Sequence, residues 1–275
     1  MKRMALLTVL LACCLAGGAA AQQKVPEDVN KLCGDTVAAL RKTDAAPLAN
    51  LFSVQASSFL AAQGEQVIHL GRTSLKDKET WADQPLFGPM TFFSEIKYSE
   101  RLYAGRIEAK VSDGEKDFLL DGVCLSEGQG KKWLMLMVRP AQEPADAEVY
   151  KGQLLQWLMN WQGAFRRGDI DGLASPLAEK DLALVVVGPD YGFYVLSDAA
   201  QVKALLGQAI YMGAVEISTV NEPIIEPRPP VALVAARWSI TAGGMQASTL
   251  DAYIHLYLDN GQWRVAAIAG LPPAQ

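Results

Sequence analysis

Apolar residues recur at helical spacing in two places 125 positions apart: Val29, Leu32, Cys33 and Leu40 in the first, and Leu154, Trp157, Leu158 and Phe165 in the second. Each set follows the i, i+3, i+4 rule and predicts a helix with one buried face. The second helix ends near Gly168, and a shorter helical stretch follows over residues 169–177. An apolar strand and turn come next at residues 182–194, punctuated by Gly188-Pro189-Asp190. Ser197-Asp198 then caps a third helix over residues 199–210. The rest reads as strand at residues 215–220, 231–241, 250–258 and 263–268, with an Asp259-Asn260-Gly261 turn joining the last two. Helices followed by a long antiparallel meander make an α+β pattern, not a doubly wound one.

The two helices belong to a wider repeat. Ala39-Leu40-Arg41-Lys42-Thr43-Asp44 reads like Ala164-Phe165-Arg166-Arg167-Gly168-Asp169, again at an offset of 125, and Leu48-Ala49 falls on Leu173-Ala174. Further along, Leu120-Asp121 matches Leu250-Asp251, and Gly130 to Trp133 matches Asn260-Gly261-Gln262-Trp263, now at 130. The Pro-rich insertion Glu226-Pro227-Arg228-Pro229-Pro230 accounts for the growth of the offset. Similarity at both ends of a module indicates two copies of one fold. Pro140-Ala141-Gln142-Glu143-Pro144, with low helicity, marks a linker at residues 141–148 between domains over 22–140 and 149–275.

The first 21 residues read as an export signal: Lys2-Arg3, an apolar run from Met4 to Ala16, and a small-residue cleavage site at Ala19-Ala20-Ala21. The run is too short for a membrane anchor, and past it no segment reaches spanning length. Leu10-Leu11-Ala12-Cys13 also resembles a lipobox, which leaves a lipoprotein tethered through Cys13 as the lesser alternative to a periplasmic or secreted protein. Cys33 and Cys124 are then the mature thiols. In an oxidising compartment they are expected to form a disulfide worth roughly 4 to 5 kcal/mol, the alternative being two buried free thiols. The formal charge of −5 becomes −7 once Lys2 and Arg3 are lost, the wrong sign for a nucleic-acid partner. No ligand spacing among the cysteines and two histidines suggests a metal, and no Gly-rich phosphate loop or Gly-x-Ser-x-Gly elbow points to a cofactor or a serine nucleophile.

The element order resembles the NTF2-like superfamily, which includes SnoaL-like and ketosteroid-isomerase-like proteins. Two segments carry the resemblance: Ala164-Phe165-Arg166-Arg167-Gly168-Asp169-Ile170-Asp171-Gly172-Leu173, and Asp259-Asn260-Gly261-Gln262-Trp263-Arg264-Val265. The second copy carries these motifs; the first follows in outline. The resemblance implies two tandem cones, each a curved antiparallel sheet wrapped around three N-terminal helices. It also implies a pseudo-twofold arrangement within one chain, like a family homodimer. It leaves the activity open, since such cones serve as isomerases, dehydratases, cyclases, binders and assembly modules.

The isomerase-like members place a base carboxylate in or beside the strand after the second helix. Here that strand reads Leu182-Ala183-Leu184-Val185-Val186-Val187, and the corresponding region of the first copy offers only Ser53, Gln55, Ser57 and Ser58. None is a competent base near neutral pH. Asp251, Tyr253, His255 and Tyr257 alternate along one strand and share a face, where His255 could carry a proton and Asp251 orient it. Against this, a Cys124 facing the helices puts Leu250, Ala252 and Ile254 inside and the polar row outside, unless a bulge reverses the assignment. His69, between apolar neighbours, reads as a structural histidine, and Asp169 and Asp171 as carboxylates at a helix start. Trp157, Trp161 and Phe165 form an aromatic stripe that reads as core, or as the wall of an apolar pocket together with Tyr194, Tyr211 and Trp238. The expectation is an exported, non-enzymatic protein that binds an apolar small molecule or a partner protein. The alternatives are an isomerase, dehydratase or cyclase using Asp251 and His255, and an architectural component of an envelope assembly.

Overall fold

Helix α1 (Glu27–Lys42) buries Val29, Leu32, Cys33, Val37 and Leu40 along one face and carries Glu27 and Asp28 in its first turn, where carboxylates favour the helix dipole. After α2 (Ala45–Asn50) the chain forms the hairpin β1 (Ser58–Gln63) and β2 (Gln66–Gly71), then the single turn α3 (Arg72–Leu75). A meander follows: β3 (Thr91–Arg101), β4 (Ala104–Ser112), β5 (Asp117–Glu127) and β6 (Gly130–Pro140). The computed structural model describes residues 25–42, 45–54, 57–75, 91–101, 104–188, 192–196, 198–211, 215–242 and 248–273. The export segment and Cys13 lie outside these residues. No described helix is long and apolar enough to cross a membrane.

The second half begins with α4 (Ala147–Arg167), which ends where Gly168 adopts φ 63° and donates its N–H to the carbonyls of Ala164 and Phe165. Only a residue without a β-carbon takes this left-handed cap at little cost. Helix α5 (Ile170–Ala174) is capped by Asp169, whose carboxylate accepts from the Gly172 N–H at 2.8 Å. Then come β7 (Ala183–Gly188), β8 (Gly192–Leu196), α6 (Ala199–Tyr211), β9 (Val215–Thr219), β10 (Ile224–Arg228), β11 (Val231–Ala242), β12 (Ser248–Asp259) and β13 (Gln262–Leu271). Strand β10 includes Pro227 and lies at the sheet edge, the position where a residue lacking an N–H is tolerated.

The fold is α+β, with the two sheets in the same order. The first runs β2-β1-β6-β5-β4-β3 and the second β8-β7-β13-β12-β11-β10, with β9 pairing with the far end of β11. In each, the first strand after the short helix lies parallel to the last, β1 on β6 and β7 on β13, and every other pair is antiparallel. Each sheet also has a register shift at the same place, Val123/Cys124 against β6 and His255/Leu256 against β13. The helix arrangement differs from the expected three N-terminal helices: two helices precede the first hairpin, and α6 comes after it. After β8 the chain stands at one edge and must return to the other. Five strand spacings of about 4.8 Å put the edges about 24 Å apart, and the 13 residues of α6 cover about 20 Å of that path.

The expected disulfide is corrected. Cys33 and Cys124 are free, and both are buried in the first core with Leu32, Leu40, Leu120 and Trp133. Burial in this apolar setting pushes both thiols up to about 12, so they pack as small apolar groups. Cys124 does face the helices, and Ala252, Ile254 and Leu256 likewise face the second core against Leu154, Leu158 and Trp161. The bulge in the second sheet does not reverse this, because the extra residue, Ala266, sits on β13 and leaves the alternation of β12 intact.

The outer faces of the two sheets pack against each other. Val123, Leu134 and Met135 join Val185, Ala267 and Leu271 in one apolar cluster, and Leu60, Ala62 and Met137 join Val231, Leu233 and Ala266 in another.

Candidate functional site

Polar and charged side chains from both halves are also buried in this contact. Asp121 on β5 receives Arg106 from β4 at 2.7 Å and lies 3.5 Å from Arg139 on β6; Arg139 also hydrogen-bonds Glu226 of the second half. His255 on β12 approaches with its Nε2 3.9 Å from Asp121, beyond hydrogen-bond reach. Asp121 and Arg139 are 1% and 0% exposed, and His255 is 0%. Burial alone would push Asp121 up, but the Arg106 and Arg139 guanidiniums beside it hold it well below the usual carboxylate range. His255 is pushed down, first by burial and then by the two arginines, against the pull of Asp121. Two guanidinium and two carboxylate charges balance around a neutral imidazole, so protonating His255 would leave an excess positive charge out of water.

The outward row expected from the sequence divides between different surroundings. Asp251 pairs directly across the sheet with Arg237, its two oxygens accepting at 2.7 and 3.2 Å, beside a cavity of about 210 Å³ that Arg106 and Tyr253 also line. Tyr253 lies under the Arg106 guanidinium, 4.8 Å from its ring centre. Asp251 and His255 stand four positions apart along the strand, about 13 Å. The structure therefore does not bring this aspartate and histidine together; the carboxylate facing His255 is Asp121.

The aromatic stripe also divides. Trp161 is packed between Trp157, stacked at 5.8 Å, Phe165, edge-on at 5.1 Å, and Trp238, tilted at 5.7 Å. Its indole N–H donates to the Leu173 carbonyl at 3.0 Å. Trp161, Phe165 and Trp238 are core. Trp157 is half-buried and borders an open cavity of about 750 Å³ with Gln153, Gln156, Asn160, Trp263 and Arg264. The side chains of Tyr194 and Tyr211 lie outside the described residues. Trp263 serves in the sequence only as a marker of the repeat; its place across the groove from α4 depends on how the β12–β13 turn meets the helix, which no local pattern encodes.

His69 has partners that the sequence does not reveal. Its Nε2 lies 3.3 Å from Ser58 Oγ, its ring lies 5.2 Å from that of Tyr257, and both His69 and Tyr257 line an inter-unit cavity of about 640 Å³ with Asp181 and Lys180. Asp181 holds a left-handed backbone, φ 58°, and accepts from Ser74 Oγ at 3.0 and 3.2 Å. A β-carbon at Gly71 would run into the Asp181 carboxylate, so glycine there lets the halves approach. Burial pushes His69 down to about 4 against the pull of Asp181, which keeps the imidazole neutral near pH 7 as a hydrogen-bonding group. Ser58 is fully buried, so its hydroxyl serves the imidazole and does not face the cavity.

No family model and no curated protein matches the sequence. Among solved structures, the chain is similar to an NTF2-like protein of unknown function from Pseudomonas putida, with 18% identity over 46% of this chain and 88% of that one and a TM-score of 0.40. A cystatin-like-fold protein of unknown function from Nostoc punctiforme shares 12% identity over 48% of this chain and 96% of that one, with a TM-score of 0.38. An NTF2-like superfamily protein from Salmonella enterica shares 14% over 46% of this chain and 94% of that one, with a TM-score of 0.40. The solved structures to which this chain is similar are NTF2-like and cystatin-like-fold proteins, each matching a little under half of it.

Proposed function

We propose that this protein is an exported, non-catalytic binding protein made of two NTF2-like cones, paired within one chain through the outer faces of their sheets, with its ligand in the groove beside Trp157. One observation carries the reading. Trp161, Phe165 and Trp238 close on one another as core, whereas Trp157 borders open space of about 750 Å³, within the range of about 300–1,000 Å³ usual for small-molecule sites. The repeated strand order and the apolar inter-sheet clusters support the paired cones. The leader at residues 1–21 supports export. Separation of Asp251 from His255, and the complete burial of His255, weigh against acid–base catalysis at that row. The ligand expected is uncharged and small, with an apolar face to lay against an indole.

The test is native mass spectrometry of the mature protein, purified gently from the envelope fraction, before and after organic extraction. A discrete extra mass that extraction removes, and that Trp157→Ala lacks while keeping the wild-type circular dichroism, is the expected result. An empty wild-type protein, or the same mass retained in Trp157→Ala, overturns the proposal.

A further inference from the structure

The groove beside Trp157 has α4 on one side and the start of β13 on the other. From Gly152 to Phe165, α4 carries no charged side chain, although Gly152, Gln153, Leu155, Gln156, Met159 and Asn160 are all exposed. Exposed protein surface is ordinarily about 25–35% charged, so this face is unusually neutral. It presents amides instead. Gln153, Gln156 and Asn160, at i, i+3 and i+7, share one face of the helix and line the groove. Gln156 Nε2 donates to Asn160 Oδ1 at 2.9 Å, which leaves the Gln156 carbonyl and the Asn160 amino group with bonding capacity.

Trp157, Trp263, Ser175, Pro176 and Gln262 also line the groove, and the indole N–H groups of the two tryptophans are buried with no hydrogen-bond partner among the described residues. Among the described residues, Arg264 is the one charged lining residue, and it is already engaged: it donates to the Ser175 carbonyl, and its Nε lies 3.8 Å from Asp259. A charged ligand would meet no free counter-charge here. A wholly apolar ligand would strip water from the four amides of Gln153, Gln156, Asn160 and Gln262 and return nothing for it. A ring with an apolar C–H face and hydroxyls on its edge satisfies both walls.

We propose that this groove binds a neutral saccharide, one ring lying against the Trp157 indole and its hydroxyls bonded to Gln153, Gln156 and Asn160. The inference rests on the reading of the Trp157 groove as the binding site, and deepens it. The experiment titrates maltotriose, cellotriose and N-acetylchitotriose into the mature chain, followed by tryptophan fluorescence and saturation-transfer NMR, with Nile red as an uncharged apolar probe. At least one sugar is expected to show transfer to its ring C–H protons and to bind roughly tenfold more weakly to Gln156→Ala and to Trp157→Ala. Gln156 is exposed, so its substitution leaves the core untouched. Sugar binding that neither substitution weakens places the site elsewhere and overturns the inference. If no sugar binds while Nile red binds the wild type and not Trp157→Ala, the saccharide inference fails and the groove stands. If neither probe binds, both fall.

Discussion

Arg139 shows how much the inter-sheet contact asks of one residue. Its guanidinium is wholly buried between Asp121 of its own sheet and Glu226 of the other half. Removing one member of a buried charge group strands the rest, at about 3–5 kcal/mol. Arg139→Ala is therefore expected to lower unfolding stability by that amount in guanidinium titrations, whereas exposed Lys31→Ala, which loses only an i, i+4 pair with Asp35, should change it by less than about 0.5 kcal/mol. The histidines add a pH dependence. His69, held near 4 in the folded state, binds a proton in the unfolded chain at about 6.5. Between these values the unfolded state binds more protons, so stability falls as the pH drops below about 6.5 and this contribution is complete near 4, a loss of about 3 kcal/mol. His255 is pushed in the same direction and adds to the loss. Asp121, held low, contributes stability that is present above the unfolded carboxylate range and disappears as the pH falls through its folded value. Unfolding measured at pH 7 and pH 4.5 should show a smaller difference in His69→Gln than in the wild type; an equal difference would remove His69 from this account.

At the scale of elements, local signals determine where helices end and turns form. Gly168 and Asp169, adjacent in sequence, end α4 and start α5 by the same economy: one supplies the left-handed cap and the other a carboxylate for an orphan N–H. Asp169→Ala should cost about 1 kcal/mol in thermal unfolding, the usual value of an N-cap side chain. The same residues were legible as a helix junction beforehand, because capping chemistry is written within a few positions. Strand β10 was not, since its Pro227 argues against a strand and only its position at the sheet edge permits one. The bulge opposite His255 was equally hidden. It arises from the pairing of two strands, and it decides nothing about His255 because Ala266, on the partner, absorbs the extra residue.

At the scale of the molecule, the inter-sheet contact joins two surfaces that are apolar at two patches and charged between them. A lone second half would expose Val185, Ala267, Leu271, Val231 and Leu233 to water together. Residues 147–275 expressed alone are therefore expected to self-associate, giving a light-scattering mass of at least a dimer, while the full chain gives one chain mass. A monodisperse, stable monomer of the fragment would contradict this. The charged group between the patches adds little net stability by itself, but it penalises any sliding of the sheets that separates Arg139 from Glu226.

Periodicity, capping residues, the Asp259-Asn260-Gly261 turn and the internal similarity were enough to determine an α+β chain whose second half repeats the elements of its first. Each of these signals depends on residues close to one another or on a pattern present twice. Tertiary structure alone decided that His255 faces Asp121, that Ser74 reaches Asp181 across 107 positions, and that Trp157 meets Trp263 across a groove. It also decided that the two cysteines are buried as free thiols. The physical reason is common to all four: burial and partner choice depend on which surfaces meet after the elements have formed, and an element's own sequence records which face is apolar, not what will cover it.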